Sequence, residues 1–116
     1  MTTGLETALF FETPAEICAR VFKQIRPRTA LPEIHIEYCT FANANAFIRM
    51  HDGRMELRIA DMLKDAPAPV LEALLVILIS KLYRKQVPAE YSHRYRRYLN
   101  RRDVRNRLET VRQERG

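Results

Sequence analysis

The chain has 116 residues, 47% of them hydrophobic and 29% charged, with a formal net charge of +6. That is one domain with one core, since two cores would leave too few residues for each. A chain this long buries roughly two-thirds of its unfolded surface without needing staples. Its two cysteines, Cys18 and Cys39, make neither a disulfide framework nor a zinc knuckle. The opening MTTGLETALFFETP has no basic region followed by an apolar one, as a signal peptide would. The longest apolar run, Ala73 to Ile79, is far short of the roughly 20 residues of a membrane span. A cytoplasmic protein with no membrane association is therefore expected.

Charge is uneven along the chain. Residues 1–80 hold eight Lys/Arg and ten Asp/Glu, whereas residues 81–116 hold twelve Lys/Arg and four Asp/Glu. A near-neutral body thus carries a basic C-terminal arm, and an acidic partner, either nucleic acid or a protein surface, would suit it.

The first element opens on Thr13-Pro14-Ala15-Glu16, a capping box with proline at the first helical position. Ile17, Val21, Phe22 and Ile25 form one apolar stripe, and Pro27 stops a helix over about 14–26. Ile34, Ile36 and Tyr38 then alternate with His35, Glu37 and Cys39, the period of a half-buried strand. Ala46 to Met50 is a second apolar segment, and Asp52-Gly53 predicts a type I′ turn into a returning strand carrying Met55, Leu57 and Ile59.

Ala66-Pro67-Ala68-Pro69 opens a helix running to about Lys85, apolar nearly all round except for Glu72. Such a helix is central to a core, so Leu78 and Ile79 are both expected to be buried. Beyond Pro88, Tyr91, Tyr95 and Leu99 make one helical stripe, and Val104, Leu108 and Val111 make another, with Asp103 placed to cap it. The order is α-β-β-β-α-α and the fold class α+β.

Catalytic patterns are sparse. The only serines are Ser80, in the apolar helix, and Ser92, adjacent to His93 and so about 100° away from it on a helix. With glycines only at 4, 53 and 116, no phosphate-cradling loop and no nucleophile elbow exists. Glu33, His35, Glu37 and Cys39 share one strand face at roughly 6.5–7 Å intervals, so they could hold Zn²⁺ only with ligands from elsewhere. The alternative is a polar, solvent-facing strand side. The two cysteines read as small hydrophobes. In the arm, tyrosines interleave with Arg94, Arg97, Arg101, Arg102 and Arg105, a composition that suits phosphates and unpaired bases. The same tyrosines also supply the stripe that docks the helix.

A helix, a three-stranded sheet, a long apolar helix and a further helix resemble a minimal zincin. The stretch from Ile59 through Ala66-Pro67 to Leu82 is most similar to SprT-like metallopeptidase domains, and the resemblance spans about residues 14–100. In that family a strand ends in a short alanine-proline connection, and the next helix carries H-E-x-x-H. There two histidines one turn apart bind zinc and the glutamate activates water. Tyr91-Ser92-His93-Arg94-Tyr95-Arg96 resembles the family's third-ligand region.

Aligning the helices puts Ile77 and Lys81 at the histidine positions and Leu78 at the glutamate position, and no shift supplies a histidine. The resemblance therefore implies a degenerate, non-catalytic domain over 1–100 with no cofactor, and a basic linker or docking arm over 101–116 that leads onward in a longer protein. Such a domain would bind or scaffold. A nucleic-acid-binding module is the alternative, and a metallohydrolase built on Glu33, His35, Glu37 and His93 is a further one.

Overall fold

The computed structural model describes residues 12–41 and 43–101. Two helices pack on one face of a three-stranded mixed sheet and a third packs on the second of them, an α+β architecture. The expected second helix of the arm, with Asp103 and the stripe Val104, Leu108 and Val111, lies outside the described residues.

Helix α1 spans Pro14–Ile25. Its capping box is complete: the Glu16 amide donates to Thr13 Oγ1 over 3.1 Å, and the Thr13 amide donates to Glu16 Oε1 over 2.8 Å. Two otherwise orphaned backbone donors are thereby satisfied. Ile17, Cys18, Val21 and Phe22 are buried beneath it.

Strands β1 (Glu33–Cys39), β2 (Ala46–His51) and β3 (Arg54–Ala60) lie in the order β1-β3-β2. The β2–β3 hairpin turns on Asp52 (φ 49°) and Gly53 (φ 75°), the left-handed pair expected of Asp-Gly. The pairing of β1 lies beyond what local pattern could reveal. The chain leaves β1 and crosses the end of β3, where the Ala60 amide donates to the Asn45 carbonyl over 2.9 Å. It then builds the far edge, and β3 returns between the two, parallel to β1 and antiparallel to β2.

Alternation along the strands sorts the sheet into two faces. Met55, Leu57 and Ile59 of the central strand are buried, while Ile34, Ile36 and Tyr38 of β1 and Ala46, Ile48 and Met50 of β2 are half-buried beside them. This apolar side meets the helices, and the other side is polar and open.

After a 3₁₀ turn at Asp61–Leu63, helix α2 spans Ala68–Leu82. It ends in a Schellman motif: the Lys85 amide donates to the Ser80 carbonyl over 2.7 Å and the Arg84 amide to the Lys81 carbonyl over 3.1 Å. Arg84 takes the left-handed φ of 56° at the position glycine favours. That geometry ends the helix three residues before the expected Lys85. Val70, Leu71, Ala73 to Val76, Ile79 and Ser80 are buried, whereas Ile77 and Leu78 are half-buried and Lys81 is exposed. Leu78 is thus not the core residue that the apolar run suggested. An all-apolar helix gives no periodicity from which to pick its less covered side.

Helix α3 (Ala89–Leu99) packs on α2 through Tyr91, Tyr95, Tyr98 and Leu99. Among the described residues, no helix is long and apolar enough to cross a membrane.

Candidate functional site

Ile77 and Lys81 stand one turn apart on α2, with Leu78 beside them, at the only stretch of the helix interior that reaches the surface apart from Glu72. Their side chains are a branched hydrocarbon, an ammonium and a second hydrocarbon. None donates a lone pair to a metal at neutral pH or activates water.

His93, in the segment that the resemblance likens to a third-ligand region, lies on the outward side of α3 and is exposed. It lines a shallow hollow with Arg96, Arg97 and Asn100, whereas Tyr95 and Tyr98 of the same helix turn inward. The fold therefore does not gather His93 with the other metal candidates. Ser92, half-buried on the same helix, has no hydrogen bond to His93.

The first-strand candidates lie on the open side of the sheet, where register pairs both glutamates with arginines and His35 with a glutamate. Glu33 faces Arg54, His35 faces Glu56 and Glu37 faces Arg58. Arg54 Nε is 4.0 Å from a Glu33 oxygen, Arg58 Nε is 3.9 Å from Glu37 Oε1, and Arg49 Nη2 lies 2.7 Å from Glu56 Oε1. Hydrogen bonding from Arg49 holds the Glu56 carboxyl below the ordinary carboxylate value. The face is a ladder of cross-strand ion pairs, as the solvent-facing reading of that strand implies. Among the described residues no group of three His, Cys, Asp or Glu is disposed to hold a metal ion. Cys39 is half-buried, and its Sγ lies 3.9 Å from the Glu37 carbonyl. Cys18 is fully buried, and burial pushes its thiol up to about 12.

Sequence reading missed one feature of this open face. Phe47, 55% exposed, meets Phe41 edge-on at 5.6 Å over a hollow of about 250 Å³ that Arg49, Glu56 and Arg58 also line. The segment from Ala46 to Met50 reads as apolar with one charge, and the local signal for Phe47's outward side is Arg49, two residues on and so on the same strand face.

The arginines of α3 divide into two sets. Arg94 Nη1 donates to Glu72 Oε1 over 3.1 Å and to the Pro69 carbonyl over 3.0 Å. Glu72 also accepts from Arg20 Nη1 over 2.6 Å, and Arg20 clamps Glu12 through Nε and Nη2. Glu72, in sequence a mere interruption of an apolar run, thus ties α1, α2 and α3 together. These hydrogen bonds hold the Glu12 carboxyl below its ordinary value and raise the Arg20 guanidinium. Arg94 is accordingly engaged within the domain.

Arg96 and Arg97 point outward and have no carboxylate within 4 Å among the described residues. Arg101 is exposed with its guanidinium carbon 5.6 Å from the Tyr98 ring centre. Arg102 and Arg105 lie outside the described residues. Tyr98 is buried, and Tyr95 is covered enough that desolvation pushes its hydroxyl up to about 12. These two rings belong to the docking stripe and offer no free face for base stacking.

Sequence reading also missed a second basic group, at the far end of the helices. Arg26, Arg28 and Lys85 line one hollow there, although Lys85 is remote in sequence from the other two. The only local hint was Arg26-Pro27-Arg28 at the end of a predicted helix.

Comparisons with protein-family models, with curated proteins and with solved structures found no match.

Proposed function

We propose that this chain is a non-catalytic, SprT-like (zincin-like) domain that works as a docking module, and that the outward face of α3 is its contact surface for an acidic protein partner. The observation that carries this reading is the division of the α3 arginines. Arg94 is neutralised by Glu72, while Arg96 and Arg97, beside His93 and Asn100, are exposed and unpaired among the described residues. Uncompensated guanidiniums on a rigid helix are pre-set to meet carboxylates, because their planar forks bind them bidentately.

The loss of catalysis is supported by chemistry at α2. Ile77, Leu78 and Lys81 occupy the positions that the resemblance assigns to two zinc ligands and a base, and an unpaired polar ligand in a partly apolar setting would be costly to retain. The acidic-protein reading is preferred to nucleic acid because Tyr95 and Tyr98 are turned into the body, which removes the stacking platform that single-strand binding uses.

The test is a binding titration of a fluorescein-labelled glutamate-rich peptide against wild type and the double variant Arg96→Glu/Arg97→Glu, alongside zinc analysis and a fluorogenic peptidase assay. Wild type should bind the peptide at low salt, the double variant should not, and neither should hydrolyse the substrate or retain stoichiometric zinc. Equal binding by both proteins, or zinc-dependent hydrolysis, would refute the proposal.

A further inference from the structure

The C-terminal ends of α1 and α2 meet at one pole of the domain, where Arg26, Arg28 and Lys85 line one hollow and Lys23, Lys81 and Arg84 belong to the same two helix ends. Among the described residues none of them has a carboxylate within 4 Å. Part of this is ordinary helix termination, since basic side chains favour the negative pole of a helix. Lys85 Nζ donates to the Ile25 carbonyl over 3.3 Å, and Lys23 Nζ donates to the Thr29 carbonyl over 3.0 Å. Two helix ends supply only about one negative charge between them, so most of the positive charge remains uncompensated.

Two of the arginines have no such explanation. Arg26 is fixed in place, with its Nε donating to Thr29 Oγ1 over 3.2 Å and its guanidinium carbon 4.5 Å from the Tyr83 ring centre. Among the described residues its Nη groups have no acceptor. Arg28 is exposed and makes no hydrogen bond or ion pair among the described residues. With Lys85 they line a hollow of about 260 Å³. A second hollow, of about 320 Å³, adjoins it through Ile25 and Lys85 and is lined by Gln24, Gln86 and Tyr91. Together they fall within the roughly 300–1,000 Å³ of small-molecule sites, with three cations on one side and, on the other, the exposed amides of Gln24 and Gln86 beside the half-buried Tyr91.

We infer that this groove binds a small phosphorylated molecule, with its phosphate on Arg26, Arg28 and Lys85 and its organic part against Gln24, Gln86 and Tyr91. Phosphate matches the guanidinium fork and tolerates several donors at once. The two amides and the half-buried tyrosine supply hydrogen bonds and a ring face for a polar organic group. The inference is independent of the outward α3 face, whose hollow shares no lining residue with these two.

Amide chemical shifts of the full chain, followed at constant ionic strength, test it with inorganic phosphate, ribose 5-phosphate, adenosine and adenosine 5′-monophosphate as probes. The phosphorylated probes should give saturable shifts confined to residues 24–29 and 80–91, with at least one sugar phosphate tighter than inorganic phosphate, and adenosine should give none. Arg28→Gln and Lys85→Gln should each weaken binding about tenfold, the loss of one charge-assisted hydrogen bond. Arg28 makes no hydrogen bond or ion pair among the described residues, so its variant should keep the fold of the ligand-free protein. Non-saturating shifts, shifts spread equally to Arg96 and Arg97, adenosine binding as well as its phosphate, or unchanged affinity in both variants would each overturn the site. A labelled oligonucleotide that displaces the sugar phosphates at lower concentration would overturn it too, by marking the pole as a nucleic-acid surface.

Discussion

Leu75→Ala and Leu78→Ala, three residues apart on α2, separate the structural account from one based on composition alone. Leu75 is 0% exposed and faces the sheet and helix core, whereas Leu78 is only half-buried. Truncating a fully buried leucine removes its transfer free energy and leaves a cavity, so Leu75→Ala should cost about 2–5 kcal/mol. At Leu78 part of the side chain already meets water and solvent fills the space it leaves. The cost there should be below about 2 kcal/mol, most of the cavity contribution being absent. In a domain of this size each kcal/mol corresponds to roughly 4–8 °C in Tm. Urea denaturation with a common m-value reads both directly. Equal losses, or a larger loss at Leu78, would mean that α2 is rotated about its axis from the position described. Ile77 and Lys81 would then no longer be the surface-reaching positions on which the proposed degenerate site depends.

Arg84→Gly should stabilise the domain by about 1 kcal/mol, because a non-glycine residue at φ 56° carries a steric cost that glycine relieves; a lower urea midpoint would contradict the Schellman assignment. Glu72→Gln should cost about 1–3 kcal/mol, since it weakens charge-assisted bonds to Arg20 and Arg94 that are only partly exposed; a thermal melt checks it. Glu12 and Glu56, whose folded carboxyls are held below 4.5 by arginine hydrogen bonds, stabilise the fold above that value. Their contribution should fade as pH falls through the lower folded values. The urea midpoint should therefore drop in acid, and less steeply in Arg49→Gln. Cys39 should react promptly with a thiol reagent, while Cys18, buried and with its thiol pushed up to about 12, should react only on unfolding.

Local signals carried much of the fold. Thr13 and Glu16 specify a helix start through atoms three residues apart, and Asp52-Gly53 specifies a turn through backbone φ, so both are written in short stretches of sequence. The partner of β1 is not, because parallel pairing across the crossing at Asn45 depends on contacts distant in sequence. Leu78 was misjudged for a related reason. When almost every position on a helix is apolar, hydrophobicity no longer marks a face, and only the placement of α1 and α3 decides which side is covered.

The candidate site shows the same division. That Ile77, Leu78 and Lys81 cannot bind zinc follows from side-chain chemistry alone. That Arg94 is bound to Glu72 while Arg96 and Arg97 are not follows from helix packing, which a count of basic residues cannot resolve. Arg26, Arg28 and Lys85 form a group only because two helices end side by side.

The measurement that bears most directly on the docking proposal is a paired titration across a series of salt concentrations. A labelled glutamate-rich peptide and a labelled oligonucleotide are each titrated with wild type and with Arg96→Glu/Arg97→Glu. The α3 face predicts that the peptide binds more tightly than the oligonucleotide at every salt concentration and that the double variant abolishes peptide binding. Tighter oligonucleotide binding, with log affinity falling by roughly 0.7–0.9 per phosphate contact against log salt and lost in the same variant, would contradict it.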